Sequence, residues 1–357
     1  MKRTRTLALL AMAAMATTTA LMGPVEAYTG AASTAAAKTV AQKATQTGKT
    51  TGTAKAGAAV RYAWVRSCEK GDFSVPCGAW TLTLRNGRTV KLSDAVVYPR
   101  DTTGVDKESS APIAVSGDGS RLVYFRKSDG KLVWRNASGG GAHSLPGASA
   151  KPPKGLGMSQ VDPWLSPDGD TVVIDYGDAT GKCPTLVVHL GSGDIVRLPG
   201  RDTVQGFSPD GRKILLAHGT EENTTEFTVY GTDGEAGESR EVPQVVSNNS
   251  PVALANDGVT VAVVITPSAG KHRLRQYDLS TDAVSPAIDL GMPSTEIPYR
   301  IDWDDDNRLT LWRLHTDRDG TPTRAIASRV DPSTGGLRTI DSFPMRTKIF
   351  IWWLPGE

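Results

Sequence analysis

The sequence predicts an all-β chain folded as a six-bladed β-propeller, with the first blade closed by the C-terminal strand. Three observations carry this. A turn motif recurs five times at nearly even spacing. An apolar residue precedes every copy. The carboxyl terminus reads "IWWLPGE", an apolar payload where termini are usually polar and frayed.

The five copies are "IAVSGDGSRLVYF", "PWLSPDGDTVVID", "QGFSPDGRKILLA", "VALANDGVTVAVV" and "IDWDDDNRLTLWR". Each has a short apolar run, a four-residue turn and an alternating apolar strand. Proline at the second turn position presets φ, aspartate suits the third, and Gly or Asn accepts a left-handed fourth, so the turn joins two antiparallel strands. The turn aspartates Asp118, Asp168, Asp210, Asp257 and Asp306 are spaced by 50, 42, 47 and 49 residues. Several short strands per unit at that period indicate propeller blades. The residues before the turns, Val115, Leu165, Phe207, Leu254 and Trp303, are all apolar, as an inner strand packed between blades requires.

Within a unit the strands run a to d from the inside out. "YFRKSDGKLVW" and "HLGSGDIVRL" each read as two strands around a glycine-containing loop, which completes four strands per blade. The first unit departs from this. It offers "YAWVRS" and "AWTLTLRNGRTVKL", with Asn86–Gly87 as a two-residue hairpin signal, and so has strands b, c and d but no strand a. "WWLPGE" matches "PWLSPDG". The last strand is therefore the missing strand a, Leu354 joins the apolar column, and ring closure protects edges that would otherwise stay unpaired.

"FSPDGRKILLA" and "LSPDGDTVVID" resemble the repeats of TolB-like, or WD40-like, six-bladed propellers, over about residues 60–357. The resemblance implies a periplasmic or extracytoplasmic domain that binds proteins; relatives also cap peptidases. Fold and activity separate readily on such scaffolds. The chain departs from the family pattern in a long Ala/Thr linker and in having no recognisable partner domain.

Residues 1–27 read as a signal peptide for the general secretory route. A basic start with Lys2, Arg3 and Arg5 precedes a modest apolar stretch and a small-residue cleavage site before Tyr28. The apolar run is short for a bilayer, so no membrane span is expected after cleavage. Residues 28–59, nearly all Ala, Thr, Gly, Lys, Ser and Gln, read as a disordered linker. Residues 60–357 are the propeller. The chain carries +2; residues 1–27 carry +2 and the linker +4, which leaves −4 on the propeller. A mildly acidic domain argues against a nucleic-acid partner. Cys68, Cys77 and Cys183 read as disulfide material in a secreted chain, and three pairings are open.

No catalytic residue, metal site or cofactor is predicted. Ser208 follows Gly206 but lacks the closing glycine of a nucleophile elbow and belongs to a repeat turn. "DWDDDN" lacks the ligand spacing of a calcium loop. His189 and His218 lie on predicted strands, where structural hydrogen bonding is expected, and Tyr176, Trp134 and Trp312 read as packing residues. The less repetitive segments 98–110, 146–162, 219–226 and 315–322 are d-to-a and b-to-c connections, the face where propellers commonly meet ligands. A polar ring of Asp162, Gln205, Asn249, Arg300 and Lys348, where strand a begins, is the expected binding site at the channel mouth. The functional expectation is a monomeric, secreted, non-catalytic propeller of the cell envelope that binds a protein or peptide. The alternatives are a propeller lyase or hydrolase with a channel site, and a glycan-binding propeller.

Overall fold

The computed structural model describes residues 58–267 and 270–357. The signal peptide and all but the last two residues of the predicted linker lie outside the described residues. Those last two belong to the propeller: Ala59 is buried and its carbonyl accepts the Arg85 N–H at 2.9 Å.

Six sheets form the blades, each an antiparallel meander ordered a to d. In the second to sixth blades, strand a is Ile113–Val115, Val161–Leu165, Thr203–Phe207, Val252–Leu254 and Glu296–Trp303. In the first blade it is Ile349–Trp353, the last strand of the chain, laid against Val60–Lys70 with Trp353 opposite Ala63 and Trp352 opposite Trp64. The outer strand of the fifth blade is split into Ala283–Val284 and Ile288–Asp289. Pro286 lies between them and has no N–H for the ladder.

The core lies in six seams between blades. Period-two alternation sends successive side chains of strand b to opposite neighbours. Val172 and Ile174 join the seam with the second blade, while Val173 joins the seam with the fourth. Val261 and Val263 likewise face the fourth blade, and Ala262 and Val264 the sixth. A two-faced apolar strand is thus what each blade needs to hold its place in the ring.

The terminal strand follows the same rule. Trp353 packs into the seam with the second blade and Trp352 into the seam with the sixth. Both are half-buried wedges rather than enclosed core; the fully enclosed residue is Leu354. Of the predicted apolar column, Val115, Leu165, Leu254 and Leu354 are buried, whereas Phe207 and Trp303 are half-buried and border the channel.

The a-to-b turns form a second ring. Ser116, Ser166 and Ser208 are buried, and each hydroxyl donates to the aspartate two residues on at 2.6 Å. Each also accepts the backbone N–H five residues on, at 2.9–3.0 Å. Adjacent turns are joined: Asp118 N–H donates to the Pro167 carbonyl at 2.8 Å and Asp210 N–H to Asn256 Oδ1 at 2.9 Å. Gly119 has φ +75°, and a Cβ there would collide with the Val60 carbonyl of the first blade.

Cys68 and Cys77 form a disulfide across the extended b–c hairpin of the first blade; Cys183 is free and half-buried. No helix among the described residues is long and apolar enough to cross a membrane.

Candidate functional site

A cavity of about 1140 Å³ occupies the channel, lined by residues of all six blades. Strand a of the third to sixth blades supplies much of its wall; Asp118, Asp168, Asp210 and Asp305 reach it from a-to-b turns, and Asn249 to Pro251 from the d-to-a side of the fifth blade. In a meander blade these turns lie at the end opposite the b-to-c and d-to-a connections. The long segments 98–110, 146–162, 219–226 and 315–322 therefore sit at the other end, where ligands were expected to meet the protein.

Gln205, Asn249 and Arg300 of the predicted ring line the cavity. Asn249 is committed locally: its Nδ2 donates to the Val245 carbonyl at 3.0 Å and its Oδ1 accepts from Thr266 N–H at 3.1 Å. Gln205 makes only a long bond to the Thr203 carbonyl, 3.4 Å, and keeps its amide available to the channel. Lys348 does not line the cavity. Its carbonyl accepts the Ser67 N–H at 2.7 Å, extending the first blade's ladder, and its exposed side chain leaves a left-handed backbone at φ +57°.

Asp162 shares the channel side of its strand with Trp164, two residues on, whose Nε1 donates to it at 3.0 Å. Asp162 is exposed but does not line the cavity, and protein surrounds its carboxyl. Desolvation pushes its pKa up to about 6, Trp164 works against that rise, and Asp175, directly opposite on strand b, adds to it.

Arg300 and Asp302 are also two residues apart on one strand side, and the guanidinium grips the carboxylate at 2.6 and 2.7 Å. The same guanidinium donates to the Pro355 carbonyl of the terminal turn. Desolvation opposes its charge, but Asp302 and Glu357 outweigh that and hold it protonated. Glu357 accepts the Leu354 N–H at 2.6 Å. Burial pushes the Glu357 carboxyl up to about 7, against the pull of Arg300, the Leu354 N–H and the Tyr299 hydroxyl. Burial first, and Glu357 second, raise the Tyr299 phenol in turn.

Glu357, Tyr299, Trp164 and the turn aspartates were not named as site residues from sequence. The period-two pairs 162/164 and 300/302 were the available signal. The turn aspartates gave none, because the turn itself explains them.

The remaining sequence candidates lie elsewhere. His189 faces the Thr232 carbonyl at 3.0 Å, and His218 sits 3.3 Å from Asp202. Trp134 is stacked on His143 and Trp312 packs edge-on to Phe343. Among the described residues, no group of three or more His, Cys, Asp or Glu side chains is placed to hold a metal ion.

No protein-family model matches this chain, and no curated protein does. Among solved structures it is similar to TolB from Acinetobacter baumannii, at 14% identity, covering 83% of this chain and 67% of that one, with a TM-score of 0.47. It is also similar to a puromycin-hydrolyzing peptidase of Mycobacterium tuberculosis, at 15% identity, covering 80% of this chain and 54% of that one, with a TM-score of 0.42. These are likenesses of fold. The chain is a six-bladed β-propeller by its own sheet order.

Proposed function

We propose that the protein is a non-catalytic, extracytoplasmic binding propeller of the cell envelope that receives a segment of a partner protein or peptide in its central channel. The observation that carries this is the cavity of about 1140 Å³, built by all six blades and walled by aromatic, amide and charged side chains. Ligand sites are typically concave, with a few placed polar groups, and about 300–1,000 Å³ in volume. A channel of this size suits a short peptide segment. The Cys68–Cys77 disulfide supports an oxidising compartment.

The reading as a binder rests on what the chemically capable side chains are already doing. Ser208 is buried and bonded to Asp210 and the Lys213 N–H, so its hydroxyl braces a turn. The Asp302 carboxylate is paired with Arg300 and that of Asp304 with Arg329.

A photo-crosslinking amino acid at Gln205, in the full chain expressed in its own envelope, tests the proposal. Crosslinks to one defined segment of a partner are expected. A partner that crosslinks only from the outer strands, or turnover of an envelope substrate lost on one channel substitution in a folded variant, would overturn it.

A further inference from the structure

The innermost strands of the ring are not all alike. In the second, third and fifth blades strand a pairs with strand b without a register shift. In the fourth, Val204 pairs with Leu216 and Gly206 with Leu215, so Gln205 is an extra residue with no partner across the ladder. In the sixth, Pro298 pairs with Arg313 and Arg300 with Trp312, which makes Tyr299 the extra residue. Such bulges re-aim a side chain and are common next to active sites. Gln205 and Tyr299 both line the cavity. The first blade's extra residue, Phe350, packs instead into the seam with the second blade.

Between the two bulges lies the fifth blade, whose strand a is only Val252–Leu254. Its cavity residues Ser250, Pro251, Val252 and Ala253 have compact side chains. Trp303 of the sixth blade is tied to them, its Nε1 donating to the Ala253 carbonyl at 3.2 Å. The result is a slot with compact side chains at its base, Gln205, Gly206 and Phe207 on one flank, and Tyr299 and Trp303 on the other.

The flank at the fourth blade suits a main chain. Its strand a pairs on one side only, so the inner edge has no strand beside it. Gly206 has φ +145°, and a Cβ there would meet nothing within 4 Å, so the strand faces open space at that point. A glycine so placed lets another backbone approach closely. Gln205 beside it carries a carbonyl acceptor and an NH2 donor on one side chain, and its amide makes only the 3.4 Å bond to the Thr203 carbonyl. An extended residue presents its own N–H and C=O on one side, which is the complementary pair. The opposite flank offers ring faces: the Trp303 N–H is engaged by Ala253, and Tyr299 lies against Trp352. Charge adds little there, because Arg300 is held by Asp302 and Arg329 by Asp304.

Resting on the channel reading, we propose that the partner segment binds here as an extended strand against the inner edge of the fourth blade. Gln205 exchanges hydrogen bonds with the N–H and C=O of one of its residues, at the opening left by Gly206. An apolar side chain of the segment enters the slot toward Tyr299 and Trp303. Main-chain bonds of this kind give affinity, and the slot gives selectivity.

The test pans a random peptide display library against the full chain, with counter-selection on a Gln205→Trp variant that blocks the slot. Each selected peptide is then resynthesised with one backbone N–H at a time replaced by N–CH3, and all are measured by calorimetry. Channel-dependent peptides with one apolar consensus position are expected. N-methylation at one residue near that position should weaken them about tenfold or more, the loss expected when a buried hydrogen-bonding group is left unpaired. Gln205→Ala should weaken the unmethylated peptide as much, and should make binding indifferent to that methyl group. Channel-dependent peptides that tolerate N-methylation at every residue would overturn the backbone pairing and leave the channel reading standing. So would unchanged affinity in Gln205→Ala with its melting temperature kept. A consensus of charged residues with no apolar position would overturn the slot. An absence of any channel-dependent peptide would overturn both this inference and the channel reading.

Discussion

Trp352 lies against Tyr299 with ring centroids 4.7 Å apart, so the last strand of the chain grips the sixth blade as well as completing the first. On the other side, Gly356 N–H donates to the Val115 carbonyl of the second blade at 2.6 Å. The terminal turn is a clasp between the two neighbours of the first blade. Deleting residues 349–357 removes a whole strand a and both of these contacts. Leu354→Ala is the gentler probe; it empties a fully buried site and should cost about 2–5 kcal/mol, against a total of about 5–15 kcal/mol. Denaturant unfolding measures the point variant, and size-exclusion chromatography should show the truncation aggregated. A soluble truncation with an unchanged melting temperature would contradict the clasp.

Glu357 gives this clasp a pH dependence. Its folded pKa, about 7, is raised above the ordinary glutamate value of 4.5, so the folded state holds the proton more tightly than the unfolded chain does. The resulting stability is fully present below the unfolded pKa and is lost as pH rises through about 7. The effect is on the order of 1–3 kcal/mol. Asp162, raised to about 6, acts in the same direction between pH 4 and 6. Stability measured from pH 4.5 to 8 should therefore decline less steeply in Glu357→Gln than in the parent. Parallel curves would show that Glu357 is not confined as described.

The ring and its closure were legible in sequence because they rest on local chemistry repeated in register. Turn residues fix the hairpins, and alternation fixes which side chains enter which seam. The missing strand a of the first blade could be matched to "WWLPGE" for the same reason. The site was legible only in part. Asp162, Gln205, Asn249 and Arg300 were singled out from strand starts, and the structure puts three of them at the cavity and Asp162 beside Trp164. Which turn and strand residues border the cavity depends on side-chain bulk contributed by several blades at once, and no single repeat carries that. Lys348 was grouped with the ring as a strand start, but its carbonyl continues the ladder to Ser67 and its exposed side chain is not part of the cavity lining.

The three cysteines make a direct chemical check. With Cys68 and Cys77 bridged, Cys183 is the one thiol among the described residues. Burial, then the hydrogen bond and charge of Asp178, raises its pKa, which lowers its thiolate fraction at neutral pH. Alkylation of the native protein should modify one cysteine, slowly, and denaturation should speed it. Reduction should expose two more. The bridge spans 9 residues at a hairpin tip that extends past the ladder with strand a, so its reduction should loosen residues 67–77 in hydrogen exchange and leave the Ala63–Trp353 pairing protected. Three alkylated cysteines in the unreduced protein would mean that no bridge forms, and a label on Cys68 or Cys77 in place of Cys183 would mean a different pairing.

The sixth blade holds a charged pair in its interior. Arg313 and Glu296 are both buried and joined side chain to side chain, and Arg313 also donates to the buried Ser328 hydroxyl at 2.7 Å. Taking these two charges from water is costly, and their attraction and the serine bond offset that cost only while both are present. Arg313→Leu leaves Glu296 buried and uncompensated, and should destabilise the protein by about 3–5 kcal/mol. Glu296→Leu should do likewise by stranding the guanidinium. The double variant removes both charges and should recover most of the loss, because two leucines fill the space without desolvating an ion. Thermal unfolding of the parent, the two single variants and the double variant closes this cycle. Additive losses would show that the pair is not coupled, and that each side chain is instead held by its own strand.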